Sequence, residues 1–182
     1  MKEIYVIHAW GMSSSDEPWF KWLKEETKKK DYKITFFDMP NTDNPKIEEW
    51  VDYLKKNIKD VGEDTYFIGH SVGCQTILRY LEKLHKNKKI AGCVFVAPWF
   101  DLINLEPEEL KIAHPWTTTK IDFSRILGHC NNFLAIFSDN DPYVHLNEVE
   151  KFRKNLGAKI IIKKNQEHFD EVKKIPEIME FL

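Results

Sequence analysis

Six short apolar segments recur along the chain, and each is separated from the next by a longer amphipathic or irregular stretch. The segments are Ile4–His8, Lys33–Phe37, Tyr66–Gly69, Cys93–Ala97, Phe133–Ser138 and Lys159–Ile162. Most of them are continuously apolar rather than alternating, which is typical of strands buried on both faces of a sheet. The pattern therefore predicts six β-strands in the interior of an α/β protein.

Amphipathic helices are predicted between these strands. They cover about Glu17–Lys30, Pro45–Val61, Val72–Asn87, Leu146–Leu156 and part of Phe169–Leu182. Pro45 suits the first turn of a helix, and Gly157 suits the position just after a helix end. Because strands and helices alternate, we expect a mostly parallel sheet with helices on both faces.

The stretch 98–128 has the least regular pattern in the chain. It contains Trp99, Trp116 and three consecutive threonines, and its one short helical candidate lies near Pro107–Ile112. A long irregular segment after the carboxyl end of a strand is often a binding loop or a small cap. We expect a small cap or substrate loop here, within a single domain that spans residues 1–182.

Composition and charge narrow the class of protein. The chain has 182 residues, of which 42% are hydrophobic and 31% are charged, as is ordinary for a soluble globular domain. The formal net charge is −2, so no overall field attracts a nucleic acid or an anionic membrane. No apolar run approaches the roughly 20 residues that span a bilayer. We therefore expect neither a nucleic-acid partner nor a membrane partner.

The cysteines and the first residues indicate a cytoplasmic protein. Cys74, Cys93 and Cys130 give an odd count without CxxC or metal-ligand spacing, which suits a reducing compartment. The segment Met1–Ile7 enters a predicted strand at once, and it contains no apolar signal-peptide region or cleavage site.

A candidate nucleophile, Ser71, lies within Gly69-His70-Ser71-Val72-Gly73. This G-x-S-x-G pattern follows a predicted strand and precedes a predicted helix, which is the sequence form of a nucleophile elbow. The turn is sharp because the serine Oγ must be exposed at the strand end, and the glycines leave room where strand and helix approach. We interpret His70 as a packing residue of this turn rather than as a second base.

A serine hydroxyl becomes a nucleophile when a histidine takes its proton and a carboxylate orients the histidine. Asp139 and Asp141 follow the fifth predicted strand, and His168 follows the sixth. Because the carboxyl ends of parallel strands meet at one edge of a sheet, we expect these groups to meet the serine there. Periodicity does not choose between the two aspartates, and Asp141 could instead cap a helix that begins at the next residue.

Four motifs resemble those of a known family. They are His8-Ala9-Trp10-Gly11, Gly69-His70-Ser71-Val72-Gly73-Cys74, Ser138-Asp139-Asn140-Asp141-Pro142-Tyr143-Val144 and Glu167-His168-Phe169. Over essentially its full length the chain is similar to small, lid-poor α/β-hydrolases, the serine hydrolases of the retinoblastoma-binding-protein type and the YdeN type. The resemblance implies an α/β-hydrolase sheet in the order 2-1-3-4-5-6. It also implies that Asp141 is the acid, because the acid of this family opens a D-x-x-V pattern.

Two backbone amides are expected to form an oxyanion hole. One belongs to Val72, directly after the nucleophile, where the unpaired N–H groups of a helix N-terminus favour developing negative charge. By resemblance, the other belongs to Trp10 in the loop after the first strand. Many relatives carry glycine where this chain has Ala9, and an alanine would be strained if that position required a positive φ.

The other histidines and the tryptophans suggest no metal or cofactor. No HxH or HExxH spacing is present among His8, His85, His114, His129 and His145, so we expect no catalytic metal. Trp99 and Trp116 either line an acyl pocket or fill the core, since aromatic side chains serve both purposes.

The sequence thus predicts a serine hydrolase, carboxylesterase-like, that cleaves small carboxylic esters through Ser71, His168 and Asp141. Small amides and thioesters would use the same geometry, and no cofactor is required. Two other functions stay open. One is a protein-interaction module that keeps the hydrolase fold with incidental activity, and the other is an acyltransferase that uses the same three residues.

Overall fold

The computed structural model of the chain describes residues 1–182 and contains one six-stranded sheet. The strands are β1 (Glu3–Ile7), β2 (Lys33–Phe37), β3 (Thr65–His70), β4 (Gly92–Val96), β5 (Phe133–Ser138) and β6 (Lys159–Lys163). Their order is β2-β1-β3-β4-β5-β6, and every neighbouring pair is parallel. The predicted fold class and strand order are confirmed, and each predicted strand is present.

Seven helices connect and flank the strands. They are α1 (Pro18–Lys29), α2 (Ile47–Asn57), α3 (Val72–Leu81), α4 (Pro107–Thr118), α5 (Phe123–His129), α6 (Glu148–Leu156) and α7 (Pro176–Phe181). Proline begins α1, α4 and α7, where its missing N–H would have no intrahelical partner in any case. Gly157 ends α6 with a left-handed φ of 64°, as expected for a residue just after a helix.

The sheet separates two apolar layers. On β1, the side chains of Tyr5 and Ile7 face one layer, and those of Ile4 and Val6 face the other. The first layer includes buried side chains of α2, α3 and α6, and the second includes those of α1 and α7. Because helices cover both faces, nearly all residues of the central strands are buried, whichever face their side chains point to, which explains their continuously apolar sequence.

The stretch 98–128 is more regular than its sequence pattern indicates, because it contains α4 and α5. The start of α4 is fixed by the Glu109 carboxylate, which accepts a hydrogen bond from the N–H of Glu106 at 2.8 Å. The side chain of Asp122 accepts from the N–H of Arg125 at 3.2 Å and starts α5. Pro115 lies inside α4 and obscures the helical pattern in the sequence.

Two predicted helices are shorter than expected: α2 covers Ile47–Asn57 rather than Pro45–Val61, so Pro45 lies before its first turn. The third helix ends at Leu81 rather than near Asn87, because the following residues form tight turns that include a hydrogen bond from the N–H of Leu84 to the carbonyl of Leu81. No helix of the structure is both long enough and apolar enough to cross a membrane.

Candidate active site

Ser71 lies in the turn between β3 and α3. Its backbone has φ 52° and ψ −117°, a conformation that is costly for a residue with a Cβ atom. Its N–H donates to the carbonyl of Val96 in β4 at 2.9 Å, so the turn is anchored to the neighbouring strand. The serine is 6% exposed, and its Oγ faces the carboxyl edge of the sheet, where the other predicted site residues lie.

The two glycines of the motif are required by the close contact of β3, α3 and β1. A Cβ atom on Gly69 would lie 2.7 Å from the backbone nitrogen of Cys74. A Cβ atom on Gly73 would overlap the backbone carbonyl of Ile7. Both obstacles are backbone atoms that cannot rotate away, so a larger residue at either position would displace the serine.

Ser71, His168 and Asp141 form a continuous hydrogen-bonded chain. His168 Nε2 lies 2.9 Å from Ser71 Oγ, and His168 Nδ1 lies 2.9 Å from Asp141 Oδ2. A carboxylate only accepts, so Nδ1 carries a proton and Nε2 is left to accept the serine proton. The side chains of His168 and Asp141 are 10% and 2% exposed, so water competes little for these contacts.

The structure distinguishes the two aspartates. Asp141 Oδ1 accepts from the N–H groups of Tyr143 and Val144 at 2.9 and 3.0 Å, so the carboxylate stabilises a turn and also faces His168. No helix begins at the residue after it. Asp139 accepts instead from the N–H of Asn165 at 2.9 Å and makes no contact with the histidine.

The two predicted pocket tryptophans have different surroundings. Trp99 is 1% exposed, and its indole N–H donates to Ser71 Oγ at 3.1 Å. Trp116 is 2% exposed, and its indole N–H donates to the carbonyl of Pro45 at 2.9 Å. Neither residue lines the open cleft beside Ser71. The contact of Trp99 with the serine was not expected, although its position just beyond β4, next to β3, is compatible with it.

In the loop after β1, the N–H groups on either side of Trp10 are paired. The N–H of Ala9 donates to Glu17 Oε1 at 2.7 Å, and the N–H of Gly11 donates to the carbonyl of Thr42 at 2.9 Å. The N–H of Trp10, between them, has no protein acceptor. The positive φ of this loop, 71°, falls on Gly11 and not on Ala9, so the alanine is not strained.

The backbone N–H of Val72, like that of Trp10, has no acceptor within the protein. Val72 is the first residue of α3, and the N–H groups of a first helical turn have no intrahelical acceptor. It directly follows Ser71, so the positive end of the helix dipole lies beside the serine oxygen.

A cleft of about 510 Å³ opens above Ser71 and His168. Its walls are apolar and acidic and include no lysine or arginine; they are formed by Trp10, Met12, Leu102, Leu105, Glu109, Tyr143, Asp170 and Glu171, among others. The ring of Tyr143 stands edge-on to His168 with 5.3 Å between ring centroids. The structure brings no three His, Cys, Asp or Glu side chains together in a form that could hold a metal ion.

A second histidine–carboxylate pair lies behind the first, and the sequence analysis did not identify it. His70 Nδ1 lies 2.8 Å from Glu17 Oε2, and both side chains are fully buried. Glu17 immediately precedes α1, where an acidic residue is normally interpreted as a solvent-exposed partner of the helix dipole. The pair joins residues 53 positions apart, so no local sequence signal could have indicated it.

Comparison with known proteins identifies the family. The sequence matches the serine hydrolase family over residues 4–177. The Bacillus subtilis (strain 168) protein YdeN is 28% identical over 170 residues, covering 93% of this chain and 87% of YdeN. The crystal structure of the B. subtilis ydeN gene product superposes with a TM-score of 0.88 at 25% identity, covering 99% of this chain and 96% of that one. The resemblance predicted from the motifs is confirmed.

Two more distant proteins agree with this result. The serine hydrolase RBBP9 of Rattus norvegicus is 20% identical over 171 residues, covering 92% of this chain and 87% of RBBP9. The structure of the Pyrococcus furiosus esterase Pf2001 matches with a TM-score of 0.65 at 18% identity, covering 100% of this chain and 80% of that one. At this identity the second likeness shows a shared fold.

Proposed function

The chain belongs to the serine hydrolase family, and we propose that it cleaves small carboxylic esters through Ser71, His168 and Asp141. One observation carries the proposal. The three side chains form an unbroken hydrogen-bonded chain whose serine end opens into the cleft. This arrangement supplies a nucleophile, a base and an orienting carboxylate in the order that acyl transfer requires.

The proposed reaction proceeds through an acyl-enzyme. Ser71 Oγ bonds to the ester carbonyl carbon while its proton moves to His168 Nε2, and Asp141 stabilises the imidazolium that results. The carbonyl π electrons move to oxygen, and the resulting oxyanion is held by the N–H groups of Val72 and Trp10. When the tetrahedral intermediate collapses, the bond to the leaving alkoxide breaks and His168 returns the proton to it. Water then releases the acid by the same sequence of steps, so no cofactor takes part.

Trp99 supports this assignment of the nucleophile. The Ser71 hydroxyl has one proton, which points to His168, and the indole N–H of Trp99 occupies a lone pair of the same oxygen. The hydrogen bond from Trp99 holds one lone pair of Oγ, so the proton is directed to His168 and the other lone pair is free to attack the carbonyl carbon. Trp99 therefore orients the reacting oxygen rather than lining an acyl pocket.

The cleft supports a small substrate without negative charge. A volume of about 510 Å³ lies within the range of small-molecule sites. Glu109, Asp170 and Glu171 line it without a compensating cation, so an anionic acyl group or alcohol would be repelled. Esters are the preferred class because their alkoxide leaves more readily than an amide nitrogen, although amides and thioesters can be attacked by the same geometry.

Hydrolysis of p-nitrophenyl acetate, butyrate and octanoate tests the proposal. We expect turnover by the wild-type protein and none by Ser71→Ala. Equal turnover by the two proteins, or none by either, would contradict it. Adding a low concentration of methanol distinguishes the alternatives, because a hydrolase would still release mostly the acid, whereas methyl ester in large excess over the ratio of methanol to water would indicate an acyltransferase. Binding of a protein partner that persists in Ser71→Ala, without any ester turnover by the wild type, would favour an interaction module.

A further inference from the structure

The buried pair of Glu17 and His70 contacts the backbone on both sides of the proposed catalytic centre. His70 Nε2 donates to the carbonyl of His168 at 2.7 Å. Glu17 Oε2 faces His70 Nδ1 at 2.8 Å, and its other oxygen accepts from the N–H of Ala9 at 2.7 Å. A single chain of hydrogen bonds thus runs from Ala9 through the pair to His168.

The protonation of the pair follows from its partners. A carbonyl oxygen only accepts, so His70 Nε2 must carry a proton. Burial alone would lower the pKa of His70, but the Glu17 carboxylate at hydrogen-bond distance overcomes this and raises the pKa above its usual value. One further proton is shared between His70 Nδ1 and Glu17 Oε2, and the raised pKa of His70 favours the form in which the imidazole carries it.

At one end, the pair fixes the loop that carries Trp10. The N–H of Ala9 is held by Glu17, and its carbonyl accepts from His8 Nδ1 at 2.7 Å. His8 Nε2 in turn accepts from the N–H of Met39 at 2.9 Å, so the ring is neutral, in agreement with the lowering of its pKa by burial. With both polar groups of Ala9 bound, the orientation of the next amide, that of Trp10, is set.

At the other end, the pair holds a strained segment. Glu167 and Phe169, on either side of His168, have φ values of 48° and 69°, in the left-handed region that residues with a Cβ atom rarely occupy. Such conformations persist only where the surroundings enforce them. The hydrogen bond from His70 is made to the carbonyl of the residue between them, so it restrains the backbone that carries the base.

We propose that Glu17 and His70 are positioning residues, which tie the loop of the Trp10 amide to the backbone of His168 so that both keep their places around Ser71. The proposal rests on the proposed function of Ser71. It assigns to the pair no contact with substrate. A buried ion pair is seldom retained for stability, because the cost of removing two charges from water often exceeds their mutual attraction.

Steady-state kinetics on p-nitrophenyl acetate test this in three variants. Glu17→Ala removes both acceptors and should lower kcat by about 10- to 100-fold, as expected when reacting groups shift by about 1 Å, with KM little changed. Glu17→Gln can still accept from Ala9 and donate to a neutral His70, so it should restore most of the activity. Leu156→Ala, which removes a buried side chain at the opposite edge of the sheet, controls for lost stability and should leave kcat unchanged.

The outcomes separate the two hypotheses. A Glu17→Ala protein with the wild-type kcat, or one that loses no more activity than Leu156→Ala, would overturn the positioning role. A wild-type protein that neither hydrolyses the ester nor reacts with a fluorophosphonate would contradict the proposed function instead.

Amide hydrogen exchange measured by NMR tests the pair without any activity. In Glu17→Ala, the amides of Ala9 and Phe169 should both exchange faster, because the connection through His70 transmits the loss to the segment around His168. The amide of Phe169 is bonded to Gln166 within its own turn, so it reports on that segment alone. Faster exchange at Ala9 with an unchanged rate at Phe169 would show that the two ends are not coupled and would overturn the proposal.

Discussion

Two histidine–carboxylate pairs lie side by side in this protein, and they differ in what the second ring nitrogen contacts. The ring centroids of His168 and His70 are 5.3 Å apart. The Nδ1 atom of His168 lies 2.9 Å from a carboxylate oxygen of Asp141, and that of His70 lies 2.8 Å from one of Glu17. His168 directs its other nitrogen to a serine hydroxyl at the cleft, and His70 directs it to a carbonyl in the core. A hydroxyl can release a proton and a carbonyl cannot, so only the first pair is suited to proton transfer.

A histidine beside a carboxylate is therefore not by itself evidence of a catalytic role. Two features decide whether such a pair transfers a proton or fixes the backbone. They are the exposure of the histidine to the cleft and the group that its second ring nitrogen contacts. Replacements in the first pair should therefore reduce turnover more than stability, and replacements in the second should do the reverse.

The largest effect is expected for His168→Ala. Without the base, kcat should fall by about 10⁴-fold or more, as in other enzymes whose nucleophile depends on a histidine. In urea unfolding, His168→Ala should lose less stability than His70→Ala. His168 borders the cleft, whereas replacing His70 leaves Glu17 buried without its partner. If His70→Ala abolished turnover while His168→Ala retained it, the two roles would have to be exchanged.

Asp141→Asn should lower kcat by about 10⁴-fold, because an amide can stabilise the wrong tautomer of His168. Asp139→Asn is the matched control, since the same change is made two residues away on a carboxylate that does not contact the histidine. Its kcat should stay near the wild-type value. The reverse ranking of the two variants would show that the acid has been misassigned.

The pair of Glu17 and His70 should contribute more to the stability of the fold than an exposed ion pair does. Glu17→Ala should lower the free energy of unfolding by about 3–5 kcal/mol, because it breaks a buried pair and leaves both His70 Nδ1 and the N–H of Ala9 without a partner. Glu108→Ala breaks an exposed ion pair with Lys111 and should change it by less than about 0.5 kcal/mol. Urea unfolding of both variants checks this, and equal losses would mean that His70 is neutral or solvated.

Trp99→Phe should lower kcat by about tenfold, because the Ser71 oxygen loses a hydrogen bond that orients it for attack. Trp116→Phe removes the same indole N–H from a contact with the Pro45 carbonyl and should leave kcat unchanged. Kinetics on p-nitrophenyl acetate give both values. Identical kcat values for the two variants would remove Trp99 from the proposed mechanism.

The smallest effect expected is on the pH dependence of stability. Because folding raises the pKa of His70, its contribution is fully present below about pH 6.5, the usual value, and is lost as pH rises through the folded-state pKa. Burial lowers the pKa of His8, so its contribution has the opposite sign and is lost as the pH falls. Of the charged groups around His70, only Glu17 would be changed in Glu17→Gln, while Asp170 and His8 are common to both proteins.

The stability difference between wild type and Glu17→Gln should therefore shrink as the pH rises above about 6.5. Urea unfolding across the neutral and alkaline range measures it. A difference that is constant with pH would contradict the assignment of a charged His70.

The sheet was predictable from the sequence because its central strands are buried on both faces and therefore read as continuous apolar runs. The two helices within residues 98–128 were harder to predict. Pro115 and the threonines after it are poor helix formers, and tertiary burial of Trp116 and Ile126 fixes the two helices in place.

Some residues of the candidate site could likewise be predicted from the sequence and others could not. Ser71, Asp141 and His168 stand in local motifs at strand ends, so sequence alone could propose them, and parallel topology brings them together. The partners of Glu17 and Trp99 are set by packing between distant segments, and neither residue type suggests its contact. The unpaired state of the Trp10 amide also depends on that packing, since Glu17 and Thr42 accept from the neighbouring N–H groups.

We expect the environment of Ser71 to activate its hydroxyl, and labelling with a fluorophosphonate tests this most directly. Purified protein would be treated with the probe and examined by intact mass and peptide mapping. We predict one adduct, on Ser71, that is absent after heat denaturation and in His168→Ala. A folded protein that gives no adduct, or one that is labelled equally well in His168→Ala, would contradict the account.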